Sequence, residues 1–393
     1  MSSKNKTNST KSVVTFASRG RIGMINPDGT GERYLDFDVP NQVMWQFGPQ
    51  FSDGRRIILH SYEDAKTWRG NVQSHIWIYD LHSKNITEIA TKNRLAPFVG
   101  CPVILPGEER IVANPIIDGE QRVFTMNLDG TDQQEVTHRG DGFAYGVTLS
   151  PDGTRLAFHI TPYNIWTVDL DGKNRVIVAS QTNHLYFGPV WSPDGQWLAY
   201  QDCYPPTDPG HDWADLCIGR PDGSEHRVVT EGRRQWFGTS YGSPETRGGG
   251  SNVTQWAPDG FDTASPTQPK GSWLTYSRAL PNSQTAWQYQ PQRPDTDHFN
   301  RDYIPEEARG GTEICLLNPF TGEIKQLTKN EPPLWDFRTQ WSSDGSKILF
   351  SRVATGCPCE VWVMDAGGSN QRFLTRGYDD MGADFGRWLI LQR

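Results

Sequence analysis

The sequence predicts an all-β fold, a seven-bladed β-propeller closed by pairing of the C-terminal strand with the first blade. Two series of hairpin turns that return along the whole chain, and the lack of any long helix-period segment, lead to this prediction. Each turn separates two apolar runs, and Gly accepts the positive φ that a tight turn demands. Because one hairpin is used many times, residues 12–393 are assigned to a single propeller domain and residues 1–11 to a disordered tail.

The first series consists of an apolar residue, then Ser-Asp-Gly or Ser-Pro-Asp-Gly, and then a hydrophobic strand. We place these turns between the innermost and the second strand of each blade. The copies, one of them degenerate, are 50–59, 103–112, 148–158, 190–200, 255–260 and 340–350.

The second series contains turns between an apolar strand and an amphipathic strand, which we place between the third and fourth strands of each blade. Residues 386–393 look like the opening strand of one more unit, and residues 13–18 look like a second strand that lacks a partner. Pairing these two segments closes the ring and leaves only short edges. The copies of the second series are 25–35, 79–89, 126–136, 168–178, 219–229, 317–327 and 364–374.

Composition excludes several function classes. The formal net charge of -8 argues against nucleic-acid and anionic-membrane partners. No run is apolar enough to span a bilayer, and the N-terminal segment is too polar for a signal peptide. We therefore expect a cytoplasmic monomer, with secretion left open. The six cysteines lack zinc spacing, and Cys203 and Cys217 either pair across a hairpin or stay free.

The two faces of the predicted ring differ. Both turn series lie on one face, which we name the turn face. The long insertions all lie on the opposite face, the loop face, and elaborated loops on one side identify the working surface. These insertions are residues 61–74, 202–214, 232–251 and 279–311.

The loop face carries groups suited to a polar, hydroxylated, anionic ligand. Aromatic rings stack on sugar faces, and arginines bind carboxylates. The run of three glycines at 248–250 lets the backbone approach a ligand closely. The candidates are Trp45, Gln46, His60, His159, His184, Tyr186, Tyr204, Arg247, Asn252, Arg278, Arg338 and Arg352.

Simpler interpretations stay open for these residues. His60 and His159 occupy equivalent places and could form hydrogen bonds between blades, and Arg278 and Arg352 could pair with carboxylates of nearby loops. The glycine run could be an ordinary turn. The acidic 202–215 stretch could hold a cation, although a solvated loop is the simpler interpretation, and its candidate ligands are Asp208, His211, Asp212 and Asp215.

The phrases SPDG-x-x-L-A-[FY] and [VM]-D-[LA]-[DG]-G-x-N resemble the repeats of TolB-type propellers over nearly the whole chain. Among enzymes with such repeats, the chain resembles the seven-bladed oligogalacturonate lyases and the fungal L-rhamnose-α-1,4-D-glucuronate lyases. The metal-binding histidines of the first group come from the opening strands of the last two blades. Residues 251–260 and 335–345 contain no histidine, so the resemblance favours the glucuronate branch, with arginine in place of the metal. A divalent cation, Ca²⁺ or Mn²⁺, stays open as a cofactor.

The resemblance implies β-elimination at the uronate of an oligo- or polysaccharide. Arg338 and Arg247 would neutralise the carboxylate together with Asn252. His184 would be the base, with His60 and His159 as further candidates, and Tyr186 the acid. Two alternatives are a non-catalytic module that binds a protein or glycan and a glycoside hydrolase. The hydrolase needs two inward carboxylates, from Asp202, Asp336 or Asp384.

Overall fold

The computed structural model describes residues 10–18, 20–63, 73–89, 102–203, 212–258, 261, 272–290, 301–376 and 383–392. These residues form an all-β structure whose one helical element is a 3-10 turn at Pro305–Glu307. No helix in this part of the chain is long and apolar enough to cross a membrane. The fold confirms the all-β prediction.

The first sheet joins the two ends of the chain. Its strands are β1 (Thr10–Ser18), β2 (Arg21–Ile25), β3 (Arg33–Tyr34) and the C-terminal β35 (Ala383–Gln392), in the order β3-β2-β1-β35. Val14 of β1 lies opposite Trp388 of β35, so the chain ends pair as the sequence predicts. Thr10 and Lys11 belong to β1 and not to the expected tail, whose residues 1–9 lie outside the described part.

Four further four-stranded sheets follow the predicted up-and-down order. The second sheet contains β4 (Gln42–Gln50), β5 (Arg56–Glu63), β6 (Ser74–Asp80) and β7 (Ile86–Glu88). The third contains β8 (Val103–Ile104), β9 (Arg110–Ala113), β12 (Phe124–Asn127) and β13 (Gln134–Glu135), with a hairpin of β10 (Ile116–Ile117) and β11 (Glu120–Gln121). The last two contain β14 (Ala144–Leu149), β15 (Arg155–Ile160), β16 (Asn164–Asp169) and β17 (Val176–Ala179), and β31 (Leu334–Trp341), β32 (Lys347–Ala354), β33 (Glu360–Asp365) and β34 (Arg372–Thr375).

The remaining strands form one nine-stranded sheet, which corrects the prediction of seven separate blades to five. The cause is β22 (Gln235–Trp236), in the 232–251 insertion, which pairs with a strand on each side. On one side stand β18 (Tyr186–Trp191), β19 (Leu198–Asp202), β20 (Trp213–Gly219) and β21 (His226–Val228). On the other stand β25 (Gln255–Trp256), β26 (Leu274–Ala279), β29 (Thr312–Leu317) and β30 (Ile324–Gln326). Two hairpins lie in the insertions: β23 (Gly238–Tyr241) with β24 (Gly248–Ser251), and β27 (Trp287–Tyr289) with β28 (Arg301–Tyr303).

The repeated Asp-Gly turns adopt the predicted backbone. In the 148–158 copy, Gly153 has a φ of 74°. Ser150 Oγ donates to Asp152 Oδ1 at 2.6 Å and accepts from the backbone N–H of Arg155 at 2.9 Å. This Ser-Asp contact holds the turn closed at its base and returns at Ser192 and Ser342.

Apolar clusters fill the spaces between neighbouring sheets. Val13 of the first sheet packs with Trp45 and Leu59 of the second. On its other side, Val14 packs with Leu349 and the rest of the β31–β34 core. The first sheet therefore contacts both the sheet that follows it and the sheet that comes last in the chain. We call β35, β4, β8, β14, β18, β25 and β31 the inner strands, after their place in the predicted ring; in the predicted topology each runs from the loop face to the turn face.

Candidate functional site

The inner strands carry a bulge near the loop face, and Arg338 occupies it in β31. The register shifts between Tyr145 and Thr148 in β14, and at the corresponding places in β18 and β31. The bulge residue has a positive φ of 60° at Gly146, 58° at Gly188 and 51° at Arg338. A non-Gly residue costs roughly 1–2 kcal/mol in this region. Strain of this kind clusters at functional sites, which makes Arg338 the leading candidate there.

Arg338 is 7% exposed, and three loop-face groups hold it in place. Its backbone N–H donates to Asn252 Oδ1 at 2.8 Å. Its guanidinium donates through Nη1 to the hydroxyl of Tyr241 at 2.8 Å and through Nη2 to the carbonyl of Gly249 at 2.7 Å. The cation is therefore fixed in one orientation, as a carboxylate-binding group needs to be.

The glycine run at 248–250 serves this arrangement. A Cβ on Gly248 would lie 2.3 Å from the ring of Tyr241, and one on Gly250 would lie 3.0 Å from Nη2 of Arg338. These glycines belong to β24, which pairs with β23 in the hairpin. The glycines let the backbone approach the side chains of Tyr241 and Arg338. The run is therefore a packed strand of a hairpin and not an ordinary turn.

Arg247 lies beside the second hairpin. Its guanidinium stands 4.1 Å from the ring centroid of Trp287, whose indole N–H donates to the carbonyl of Gly242 at 3.1 Å. Arg301, which is 4% exposed, donates to Asp212 Oδ2 at 2.8 Å and to the carbonyl of Trp287 at 3.0 Å. The two insertions thus pack on each other, and the first of them contains Arg247 and contacts Arg338 through the carbonyl of Gly249.

His184 forms a pair with a buried carboxylate. Its Nδ1 lies 2.6 Å from Oδ2 of Asp202, and the side chains are 17% and 0% exposed. His184 lies two residues before the inner strand β18, and Asp202 ends β19, so the pair lies at the loop face. A buried carboxylate at this distance fixes the orientation of an imidazole and keeps its Nδ1 protonated.

Tyr186 lies beneath His184. The two rings are 5.7 Å apart with an interplanar angle of 13°. Tyr186 is 1% exposed, its hydroxyl donates to Gln181 Oε1 at 3.4 Å, and burial raises the pKa of this phenol. The geometry suits support of the imidazole plane better than the predicted role as an acid.

His159 follows the simpler interpretation, whereas the Nδ1 of His60 is buried and has no hydrogen-bond partner among the described residues. Each stands at the same place in a second strand, opposite Gln46 in one case and Tyr145 in the other. Burial lowers the pKa of His60 to about 4 and that of His159 to about 3. The Nδ1 of His159 accepts the backbone N–H of Gly188, in the next inner strand, at 3.4 Å.

The same position connects neighbouring sheets elsewhere. Asn114 Nδ2 donates to the carbonyl of Ala144 at 3.3 Å, and Ser277 Oγ donates to the carbonyl of Asp336 at 2.7 Å. In both cases the acceptor belongs to the next inner strand. A neutral histidine at this place is therefore best explained as a contact between sheets.

Three of the predicted binding residues are committed to internal contacts. Asn252 donates through Nδ2 to the carbonyl of Trp236 at 2.7 Å, while its Oδ1 accepts from Arg338. Arg352 makes a bidentate ion pair with Asp336 at 2.7 and 2.8 Å. Arg278 lies 3.1 Å from Glu313 Oε2. Asn252 and Arg352 thus shape the site without lying open at its surface.

The aromatic candidates have different outcomes. Trp45 is 5% exposed and packs against Trp77 and Phe37, so its ring belongs to the core between sheets. Gln46 lies in the inner strand β4 opposite His60. Tyr204 lies outside the described residues. Sequence reasoning missed Tyr241 and Trp287, whose only signal was an aromatic residue inside a long insertion.

The acidic stretch does not assemble a cation site in the described part of the chain. No group of three or more His, Cys, Asp or Glu side chains converges there. Asp212 pairs with Arg301, and Asp215 Oδ1 accepts from Thr230 Oγ1 at 2.9 Å and from the backbone N–H of Arg233 at 3.0 Å. Asp208 and His211 lie outside the described residues. No step proposed below uses a metal.

Comparison with known proteins establishes the class as a β-propeller. No protein-family model and no curated protein matches the chain. The β-propeller domain of the trilobed protease from Pyrococcus furiosus, described as having an open velcro topology, aligns at 14% identity and a TM-score of 0.51. The alignment covers 93% of this chain and 94% of that domain. At this identity the likeness concerns the fold alone.

Two weaker matches involve the groups that the repeats resemble. TolB from Acinetobacter baumannii aligns at 11% identity with a TM-score of 0.46, over 96% of this chain and 82% of TolB. An oligogalacturonate lyase in complex with manganese aligns at 13% identity with a TM-score of 0.48, over 83% of this chain and 74% of the lyase. The rhamnose–glucuronate lyases gain no support from these comparisons.

Proposed function

We propose that this protein is a lyase that cleaves a glycosidic bond at a uronate by β-elimination. The observation that carries the proposal is the His184–Asp202 pair, whose Nδ1 and Oδ2 lie 2.6 Å apart at the loop face. The strained, immobilised Arg338 supports it, because elimination needs a cation at the carboxylate as well as a base.

The base in this proposal is Nε2 of His184. In this proposal the Nδ1–H of His184 donates a hydrogen bond to Asp202, so the lone pair of the imidazole lies on Nε2. The buried carboxylate also stabilises the imidazolium that forms when Nε2 takes a proton. Tyr186 stacks under the ring and limits its rotation.

The carboxylate of the substrate would bind to Arg338 and Arg247. Its neutralisation increases the acidity of the proton on C5, and the same donors stabilise the enolate that develops. Arg338 is held by Tyr241 and Gly249, so little reorganisation accompanies the reaction. Trp287, against which Arg247 stacks, brings an aromatic side chain to the same surface.

The reaction balances without an external oxidant or cofactor. His184 removes the C5 proton, the electron pair of that C–H bond forms the C4–C5 double bond, and the C4–O bond breaks. Water protonates the departing oxygen, because the hydroxyl of Tyr186 is buried and donates to Gln181. The products are an unsaturated uronate and a shortened saccharide.

The proposal extends to the architecture and the substrate. We interpret the nine-stranded sheet as two blades joined by β22, which gives seven blades in a ring that the β1–β35 pairing closes. The packing of the first sheet on both neighbours supports this interpretation. The substrate we favour contains glucuronate next to a neutral sugar such as rhamnose, because arginine side chains at the loop face can neutralise a uronate carboxylate.

The test is an incubation of the full-length protein with rhamnosyl-glucuronate saccharides, with oligogalacturonate as a parallel substrate. Elimination produces ultraviolet absorbance from the new double bond, together with a new reducing end. Absorbance that rises with time and is lost in His184→Gln supports the lyase. Reducing ends without absorbance would contradict it.

Two other functions predict different results. A glycoside hydrolase needs two available carboxylates, but Asp336 is held by Arg352 and Asp202 by His184. The side chain of Asp384, the third candidate, lies outside the described residues. A non-catalytic binding module agrees with the internal pairing of Asn252, Arg278 and Arg352. Saccharide binding with neither absorbance nor reducing ends would favour that module.

A further inference from the structure

A cavity of about 330 Å³ lies where β4, β31 and β35 approach the turn face. These are the inner strands of the second, last and first sheets. Its wall includes Phe47, Gln340, Trp341, Ser343, Arg387 and Trp388. His184 precedes β18, and Arg338 lies two residues before Gln340 along β31, so the cavity lies further along the inner strands than both groups.

Arg387 gives this cavity a positive charge. It is partly buried, and its guanidinium stands 5.6 Å from the ring centroid of Phe47. Within the described part of the chain the guanidinium makes no hydrogen bond and no ion pair, although its own carbonyl accepts from Thr15 Oγ1 at 3.2 Å. Removing a cation from water without a carboxylate partner costs free energy, and a bound anion would offset this cost.

Further polar groups on the wall are also uncommitted. The indole N–H of Trp341 is buried and has no hydrogen-bond partner among the described residues. The side chain of the half-buried Gln340 makes no hydrogen bond there either, although its carbonyl accepts from Trp388 Nε1 at 3.3 Å. Buried polar groups of natural proteins are nearly always satisfied, so unsatisfied donors beside a cation indicate a missing acceptor.

The wall itself is held rigidly. Gln50 binds the backbone of β35 from both sides: its Nε2 donates to the carbonyl of Ile390 at 2.5 Å, and its Oε1 accepts the N–H of Ile390 at 2.9 Å. These contacts and the β1–β35 pairing fix Arg387 and Trp388 relative to β4. The volume lies at the lower end of the range of small-molecule sites, roughly 300–1,000 Å³.

We propose that this cavity binds a small organic anion, with a carboxylate or phosphate group on Arg387 and a ring against Phe47 and Trp341. The two anionic groups share the chemistry that a guanidinium recognises, two acceptor oxygens in a plane. The site goes beyond the proposed elimination and would exist whether or not the loop face is catalytic.

Binding can be followed by the fluorescence of Trp341 and Trp388 in the full-length protein. The probes are glucuronate, glucose 6-phosphate and neutral glucose, and the variants are Arg387→Gln, Arg338→Gly and the exposed control Arg33→Gln. We expect saturable quenching by at least one anion but not by glucose. Arg387→Gln should weaken it about 10- to 100-fold, while Arg338→Gly and Arg33→Gln retain it.

The outcomes separate this site from the reaction site. Loss of quenching in Arg387→Gln with elimination activity intact supports the second site, and the anion that binds identifies the group. No quenching by any probe, equal quenching by glucose, or quenching unchanged in Arg387→Gln overturns the proposal. If Arg387→Gln does not fold, Ser343→Tyr at the cavity wall should block the same binding, and unchanged affinity there also overturns it.

Discussion

The Nδ1 of His184 lies 2.6 Å from Oδ2 of Asp202, and this contact connects the start of one inner strand to the end of the strand beside it. Asp202 is fully buried, so its charge is directed at the imidazole and not dispersed in water. In the proposed mechanism the pair provides an oriented base at the loop face.

Asp202→Asn should reduce the elimination rate by about 100-fold or more, because the amide no longer fixes the tautomer or stabilises the imidazolium. Initial rates of ultraviolet absorbance measure this effect. His75→Gln is the matched control, since His75 also pairs with a carboxylate, Glu88 at 2.6 Å, but in the third strand of the second sheet. Equal rate losses in both variants would show that the effect is not specific to the site.

Arg338→Gly should abolish carboxylate binding and leave the fold intact. Glycine fills the same bulge in β14 and β18, so relief of the positive φ offsets the hydrogen bonds lost to Tyr241 and Gly249. We expect a rate reduction of about 100-fold or more, with the free energy of unfolding changed by less than about 2 kcal/mol. Arg155→Gln, at a turn, is the control for loss of charge. Full activity of Arg338→Gly would remove Arg338 from the mechanism.

The stability of the protein should fall as the pH falls below about 6.5. The folded-state pKa values of His60 and His159, about 4 and about 3, lie below the unfolded value. The unfolded chain therefore binds protons first, and each histidine costs about 1.4 kcal/mol per pH unit until its folded pKa is reached. Urea unfolding between pH 7 and pH 4.5 measures the slope. His159→Gln should flatten it, and an unchanged slope in that variant contradicts the assignment.

Asp336→Ala should destabilise the protein by roughly 3–5 kcal/mol, because Arg352 is left as an unpaired, largely buried charge. Removing both partners, as Asp336→Leu with Arg352→Met, should recover much of the loss. Asp36→Ala breaks an exposed ion pair with Lys84 and should change the midpoint of denaturant unfolding little. Denaturant midpoints decide between these outcomes, and a mild effect of Asp336→Ala would show that the ion pair is not structural.

Gly248→Ala should lower the elimination rate by displacing Arg338, although Gly248 itself does not contact the substrate in the proposed mechanism. The new methyl group would meet the ring of Tyr241 at 2.3 Å, so the ring and the guanidinium of Arg338 must move. We expect a destabilisation of about 1–3 kcal/mol together with a lower elimination rate. Gly367→Ala is the matched control, because nothing lies within 4 Å of a Cβ at that position. Identical rates in the two variants would separate the glycine run from the site.

The sequence determined the repeating hairpins and therefore the class of fold. Turn residues act locally: Ser150, Asp152 and Gly153 close their turn through contacts within a few residues, so each copy can be read without its neighbours. The same local logic placed the long insertions on one face and predicted the pairing of the two chain ends. It also supplied the pair of candidates, Arg338 and His184, on which the proposed function depends.

Only the tertiary structure decided which candidates are available and which are committed. Trp45 packs in a core, and Arg352 and Asn252 are tied to partners far away in sequence or across a strand, which no local pattern reveals. Contacts between distant segments also explain the nine-stranded sheet, because β22, in an insertion, forms backbone hydrogen bonds with β20 on one side and β26 on the other. Burial and pairing depend on contacts between distant segments, whereas turns depend on neighbours in the chain.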